Sequence, residues 1–130
     1  MSVLRAAVGR LLAVGVLSPG WSSIVSGATL VFDEVDVGIG GPTAEIVGQL
    51  LRRLGERGQV LTVTHLPQVA AQGHHHLFVH KARGTDETRT AVTELDQAGR
   101  VEEIARMLGG VDLTEQSLAH ARQMVTSAQA

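Results

Sequence analysis

A short apolar run that ends in two adjacent carboxylates constrains this chain more than any other feature. Residues 29–32 are Thr, Leu, Val and Phe, Asp33 and Glu34 follow at once, and the chain then turns glycine-rich up to Gly41. A continuous apolar run of this length is typical of a strand that is covered on both faces, as in a parallel sheet. Ligands of such sheets gather at the carboxyl ends of the strands, so we expect Asp33 and Glu34 to emerge at that edge.

The two carboxylates can serve different chemistry, because side chains alternate along a strand. One can bind a hard cation such as Mg²⁺ through oxygen, and the next can orient or deprotonate a water molecule. This is the Walker B pattern of nucleotide hydrolases. An apolar run that ends in Asp-Glu is also common by chance, and the simpler interpretation is a buried strand with a solvated acidic end.

A second strand favours the catalytic interpretation. Residues 60–63 form another short apolar run, Val-Leu-Thr-Val, and Thr64 and His65 follow it about one β-α-β unit after the first run. Two neighbouring parallel strands would deliver Asp33, Glu34 and His65 to one edge of a sheet. A single histidine after a strand is more often a capping or packing residue. Its placement here matches that of the switch histidine in ABC-type ATPases, which contacts the terminal phosphate.

Three segments carry a resemblance to a known family: residues 30–41, residues 64–71 (Thr-His-Leu-Pro-Gln-Val-Ala-Ala) and residues 117–121 (Ser-Leu-Ala-His-Ala). Over residues 29–130 the chain resembles the C-terminal head segment of the RecN family, the SMC-like, ABC-type ATPases of bacterial DNA repair. The resemblance implies an α/β fold. The expected architecture is the C-terminal lobe of a P-loop NTPase head, with parallel strands flanked by helices plus a β-hairpin.

The resemblance also implies roles for individual residues. Asp33 would bind Mg²⁺, Glu34 would polarise the attacking water, and His65 would sense the γ-phosphate of ATP. Asp36 and Gly38 would lie in the loop that faces the partner head across a dimer. The implied partners are an N-terminal RecN-like lobe and a second head, with DNA contacted only through the completed protein.

Composition limits the classes of function that this chain can have. It has 130 residues, enough for one small domain, and the core must be built from aliphatic side chains because only 2% of the residues are aromatic. The absence of cysteine excludes disulfides and thiolate metal sites and is consistent with a reducing compartment. A formal net charge of −2 does not resemble the basic surface of a self-sufficient DNA-binding protein. Together with the resemblance, this favours a cytoplasmic, nucleoid-associated protein without membrane contact.

Residues 1–28 form an atypical apolar N-terminal segment, whereas residues 29–130 form the RecN-like lobe. The apolar run 11–17 is too short for a bilayer span, which needs about 20 residues. It has the outline of a signal peptide; the alternative is an apolar helix, ended by Pro19, that packs on the sheet. The family has a signature loop and helix before the acidic strand. Residues 26–28 (Ser-Gly-Ala) leave no room for them, so the segment looks foreign to the family.

We predict the remaining strands and helices from hydrophobic periodicity and from the turn residues between the segments. Residues 77–81 and 88–95 are rich in branched side chains, and we expect them to pair as an antiparallel hairpin apart from the parallel strands. Residues 74–76 are three consecutive histidines. Because alternate side chains of an extended chain point apart, we interpret them as a turn that leads into a strand and not as a metal site. Helices are predicted over residues 43–54, from Pro67 to about Ala71, over residues 100–108 and from Thr114, which would act as N-cap.

The chain has the residues for water activation but no means of holding the nucleotide. A phosphate-binding loop of the form Gly-x-x-x-x-Gly-Lys-Ser/Thr is absent, and the one lysine, Lys81, follows His80. This is half of a catalytic site. Three interpretations stay open: a lobe that is functional only with an N-terminal lobe, a non-catalytic interaction module that docks on another ATPase head, and a truncated fragment with no independent role.

Overall fold

The computed structural model describes residues 2–6, 29–33, 38–56, 58–83, 88–109 and 112–130. These residues form five strands and four helices. The strands are β1 (Ser2–Ala6), β2 (Thr29–Asp33), β3 (Gln59–Thr64), β4 (His75–Arg83) and β5 (Thr88–Glu94). The helices are α1 (Gly41–Gly55), α2 (Pro67–Ala70), α3 (Gln97–Gly109) and α4 (Glu115–Gln129). None of the described helices is long and apolar enough to cross a membrane.

All five strands belong to one mixed sheet with the order β2-β3-β1-β4-β5. The strands β2 and β3 are parallel neighbours, as predicted, and β4 and β5 form the predicted antiparallel hairpin. The hairpin is not apart from the parallel strands, however. The strand β1 lies between β3 and β4 and pairs antiparallel with both, so it joins the two parts through backbone hydrogen bonds. This strand is not predicted from the sequence, and the helix predicted before Pro19 lies outside the described residues.

The helices are confirmed close to their predicted limits, and local chemistry explains where two of them begin. Pro42 lies in the first turn of α1. The N–H groups of a first turn have no partner within the helix, so the missing N–H of proline costs no hydrogen bond there. Thr114 caps α4 as expected: its side-chain oxygen accepts a hydrogen bond from the backbone N–H of Ser117 at 3.0 Å. The Ser117 hydroxyl accepts one in return from the Thr114 N–H, also at 3.0 Å, which completes a reciprocal capping box.

The hydrophobic core lies between one face of the sheet and the helices. Phe32 and Val60 contribute from β2 and β3, and both are almost fully buried. The other buried members come from the four helices and the turn after α2: Ala44, Leu51, Val69, Ala70, Ala71, Val101, Ile104, Ala105, Ala121 and Val125. Most of them are small, so the helices pack close to the sheet without large aromatic side chains.

The tightest contact in this layer lies between α1 and α2. Gly48 is buried in the middle of α1 and faces the backbone of α2 and the turn after it. A Cβ atom at this position would lie 3.0 Å from the carbonyl oxygen of Gln68 and 3.2 Å from the Cα of Val69. Real Cβ atoms rarely approach backbone atoms so closely. Glycine is therefore required here by the closeness of the two helices.

Two arginines hold the turn that follows α2. Arg52, from the last turn of α1, donates a hydrogen bond to the carbonyl oxygen of Gln72 at 2.7 Å. Arg100, from α3, donates to the carbonyl oxygens of Ala71, at 2.9 Å, and of Gly73. Arg100 is 4% exposed, and its burial, with the nearby charge of Arg52, lowers the pKa of its guanidinium to about 10. Buried cations are stable only where acceptors surround them, and the backbone carbonyls of this turn provide those acceptors.

A buried histidine lies near Arg100. His76, on β4, is 1% exposed, and neither ring nitrogen has a hydrogen-bond partner among the described residues. Burial and the positive charge of Arg100 lower the pKa of His76 to about 4. The ring is therefore neutral at neutral pH and packs as an apolar side chain.

We expect Gly48→Ala to destabilise the fold. Alanine is the better helix former by about 1 kcal/mol, but its methyl group would overlap the α2 backbone, and overpacking costs about 1–3 kcal/mol. Urea unfolding followed by far-UV circular dichroism should show a net loss of stability. Gly41→Ala is the control, since its Cβ would meet only the Gln68 side-chain amide at 3.5 Å. Equal stability of both variants and the parent chain would contradict the close approach.

The pKa of His76 predicts a loss of stability in mild acid. Below pH 6.5 the unfolded chain takes up a proton that the folded chain does not accept until about pH 4. Stability from this group is thus complete above pH 6.5 and falls through that window by about 3 kcal/mol. Urea unfolding from about pH 7.5 to about pH 4.5 should therefore show a shallower decline for His76→Leu than for the parent chain. Parallel declines would show that His76 titrates normally.

Candidate functional site

The parallel pairing of β2 and β3 brings two of the predicted site residues to the same edge of the sheet. Asp33, the last residue of β2, is in register with Val63, and His65 follows two residues later at the end of β3. Neighbouring strands lie about 4.8 Å apart, so the backbones at Asp33 and His65 are close at this edge, which we call the rim. Glu34 and Asp36 lie outside the described residues.

The segment that carries His65 is held by its own backbone and by Thr64. The Thr64 hydroxyl accepts a hydrogen bond from the backbone N–H of Leu66 at 3.0 Å, which bends the chain directly after the strand. The helix α2 then begins at Pro67, with the N–H of Ala70 bonded to the carbonyl of Leu66 at 3.0 Å. Thr64 is buried whereas His65 is exposed. The imidazole of His65 is thus presented to solvent at the rim from a firmly held backbone.

The glycine-rich loop before α1 lies beside this segment. Gly38 is exposed and has a φ angle of +80°, a conformation that side chains with a Cβ rarely adopt. Gly40 precedes α1, and its carbonyl accepts the first helical hydrogen bond, from Ala44 at 2.9 Å. At Gly41 a Cβ would lie 3.5 Å from the side-chain nitrogen of Gln68. The start of α1 and the α2 helix that follows His65 are therefore adjacent.

A groove of mixed polar and apolar lining opens between α1, the α2 region and α4. Its volume is about 550 Å³, and its lining includes four glutamines: Gln49, Gln68, Gln72 and Gln123. Glu45 and His120 also line it, and none of its described lining residues is a lysine or an arginine. A polyphosphate needs cationic side chains or a cradle of backbone N–H groups. The groove's lining residues do not form a cationic phosphate site.

The three consecutive histidines do not form a common site. His75 is exposed and its Nδ1 lies 3.0 Å from a carboxylate oxygen of Glu94, whereas His76 is buried on the other face of β4. His74 precedes the strand and is partly buried, which together with Arg52 lowers its pKa. The prediction of a turn that leads into a strand is confirmed. Across the described residues, no cluster of three or more His, Cys, Asp or Glu side chains is arranged to hold a metal ion.

Sequence reasoning missed the role of Arg52 and Arg100, which bind the backbone carbonyls of the turn after α2. The signal was nonetheless present, because Arg100 lies four residues before Ile104 on the apolar stripe of a predicted helix. A charged residue at such a position indicates a buried acceptor elsewhere in the fold. The acceptors here are backbone carbonyls, which no side-chain pattern identifies.

Comparison with known proteins identifies the family. The chain is 57% identical over 100 residues to the DNA repair protein RecN of Vibrio cholerae, which covers 77% of this chain and 18% of that protein. It is 54% identical over 114 residues to RecN of Haemophilus influenzae, covering 88% of this chain and 20% of the relative. The RecN of Streptomyces coelicolor is 42% identical over 120 residues, with coverages of 92% and 20%. No protein-family model matches the chain.

The extent of these matches shows which part of the RecN proteins this chain corresponds to. The matches to the Haemophilus and Streptomyces proteins are longer than residues 29–130, so they include part of the first 28 residues. The chain spans about a fifth of the length of the curated relatives that it matches, and the matched part is their C-terminal segment. With identities of 42–57% to several RecN proteins, the chain belongs to the RecN family of DNA repair proteins and corresponds to their C-terminal segment.

Proposed function

We propose that this chain is the C-terminal half of an ATP-binding and ATP-hydrolysing head that acts in recombinational repair of DNA double-strand breaks. The observation that supports this most is the parallel register of β2 and β3, which brings Asp33 and His65 to one rim in a chain of the RecN family. A head of this kind would work in the cytoplasm on the nucleoid. DNA would be contacted through the completed protein, because this segment carries a net charge of −2.

The residue types at the rim fit the chemistry of phosphoryl transfer to water. A carboxylate at Asp33 is an oxygen ligand of the kind that Mg²⁺ prefers, and the ion, when bound with ATP, neutralises charge on the phosphates. Glu34 would accept a hydrogen bond from the attacking water and orient it. His65, exposed at the end of β3, would donate a hydrogen bond to the γ-phosphate.

The loop that contains Asp36 and Gly38 would face a second head. The positive φ of Gly38 supports this role, since glycine permits a tight turn and leaves room for close approach of another backbone. A head-to-head dimer would then enclose the nucleotide between the rim of one head and the loop of the other.

The proposed site still lacks the part that binds the phosphates of the nucleotide. Kinases and ATPases hold the β- and γ-phosphates with a cradle of backbone N–H groups and a lysine, and the sequence contains no such motif. An N-terminal RecN-like lobe would supply it. If the chain instead acts as a non-catalytic module that docks on another ATPase head, substitutions at the rim would leave hydrolysis unchanged.

The chain alone should show no ATPase activity above background. Positioning and electrostatic stabilisation provide nearly all of the catalysis in phosphoryl transfer, and both depend on the absent phosphate cradle. Release of inorganic phosphate from ATP and Mg²⁺ measures this directly. Turnover by the purified chain that disappears in Glu34→Gln would refute the proposed division into two lobes.

The rim residues should have separable effects in a head reconstituted with the N-terminal part of a RecN relative. Glu34→Gln keeps the shape of the side chain but loses the general base, so hydrolysis should fall by about 10²–10⁴-fold while ATP binding persists. Asp33→Asn should weaken Mg²⁺-dependent nucleotide binding, because the magnesium ligand is lost. His65→Ala should mainly reduce turnover. Single-turnover hydrolysis and labelled-ATP titration separate these effects.

Matched controls for these variants lie on the helices. Glu102→Gln removes an exposed carboxylate of α3 that is 3.5 Å from Arg106, and His120→Ala removes an exposed imidazole of α4. Both should retain the parent activity to within about twofold. Equal and small effects of the rim and control substitutions would overturn the catalytic roles.

A further inference from the structure

A small cavity lies between α1, β3 and the turn that follows α2. It leaves about 20 Å³ for the centres of water molecules, and its lining includes Thr62 of β3, Arg52 of α1 and Gln72 of the turn. Thr62 is buried, whereas Arg52 and Gln72 are partly buried. The cavity is therefore internal on the side of the sheet and reaches towards solvent on the side of Arg52 and Gln72.

The hydroxyl of Thr62 is the polar group in this cavity that needs a partner. Thr62 is 3% exposed, and its Oγ1 has no hydrogen-bond partner among the described residues. Thr64 lies on the same face of β3, and its hydroxyl accepts a hydrogen bond from the N–H of Leu66 at 3.0 Å. A buried hydroxyl without a partner costs more free energy than a typical hydrogen bond contributes. A ligand that binds Thr62 in the cavity would remove this cost.

The size of the cavity fits a single water molecule. A buried water needs roughly 10–15 Å³ of such space and two to four polar partners, and the 20 Å³ present here meets the first requirement. An organic ligand would be too large. The space is closed on one side by the Gln72 side chain, which packs so close to α1 that a Cβ atom at Gly48 would lie 2.8 Å from its Cγ.

The polar groups around the cavity meet the second requirement. The Thr62 hydroxyl can both donate and accept a hydrogen bond, and so can the side-chain amide of Gln72. The Arg52 guanidinium donates to the backbone carbonyl of Gln72 at 2.7 Å, and a guanidinium has several further N–H donors. Three residues of the lining thus offer the groups that a water molecule binds.

The charges nearby favour a neutral ligand over an anion. Arg52 is bound to the Gln72 carbonyl, and Arg100 is bound to the carbonyls of Ala71 and Gly73, so both cations already face acceptors. The lining also includes aliphatic side chains, among them Val60. An anion would lose its hydration there without enough donors to replace it, and this costs far more than the burial of a neutral molecule.

We propose that this cavity is a binding site for a structural water molecule, which is hydrogen-bonded to Thr62 Oγ1 and links β3 to Arg52 and Gln72. The water adds a connection between the strand that leads to His65 and the turn after α2, beside the direct bonds of Arg52 and Arg100. The site does not depend on the proposed ATPase chemistry.

The sign of the stability change in Thr62→Val tests the proposal. Valine has nearly the shape of threonine but cannot bind a water, so the unfolding equilibrium constant should rise about fivefold in urea. Thr93→Val is the matched control, because it makes the same chemical change at an exposed position of β5. Its unfolding constant should stay within about twofold of that of the parent chain. A Thr62→Val variant as stable as the parent chain, or more stable, would show that the hydroxyl is truly unpaired and would overturn the proposal.

A crystal structure of the parent chain tests the site directly and does not require the valine variant to fold. Electron density for a water molecule should lie about 2.8 Å from Thr62 Oγ1. It should persist in Thr62→Ser, which keeps the hydroxyl, and disappear in Thr62→Val. A well-ordered Thr62 without density beside it would contradict the water site. Anomalous scattering from bromide in the cavity of soaked crystals would also overturn the proposal, since the ligand would then be a halide.

Discussion

The parallel pairing of β2 with β3 is the constraint on which the rest of this structure depends. It sets Asp33 in register with Val63, so that two strands end together at the rim. The same register determines which residues face the helices, because a shift of one residue would turn every side chain of a strand to the opposite face of the sheet. The proposed chemistry and the packing of the core therefore have a common origin in one strand pairing.

The helical layer supports the rim from behind. α1 and α2 approach so closely at Gly48 that no side chain fits between them. Arg52 and Arg100 bind the carbonyls of the turn after α2, and Thr64 holds the N–H of Leu66. These contacts fix the backbone on both sides of His65 and leave its side chain exposed. A residue that contacts a phosphate benefits from such support, since catalysis depends on precise placement.

The two faces of the sheet give this chain an asymmetric character. One face is packed by small aliphatic side chains, of which Ala44, Ala70 and Ala121 are fully buried. The other retains exposed valines at both edges. A segment with this asymmetry resembles half of a layered α/β structure, which agrees with its length of about a fifth of its RecN relatives.

The sequence by itself determined the local elements, because their signals are local. The apolar runs at residues 30–32 and 60–63 specified two strands, the branched residues around a polar turn specified the hairpin, and Thr114 specified the start of α4. The sequence also predicted that the first of these strands is covered on both faces, whereas β2 lies at the edge of the sheet and Val31 is 64% exposed. The residue strings around Asp33 and His65 also indicated the family before any geometry was known. Tertiary structure alone decided that β1 lies between β3 and β4, because strand order depends on pairing between distant residues. It also decided that Arg100 binds backbone carbonyls and that His76 is buried beside it. These features depend on which surfaces meet in three dimensions, and residue spacing along a chain does not encode that.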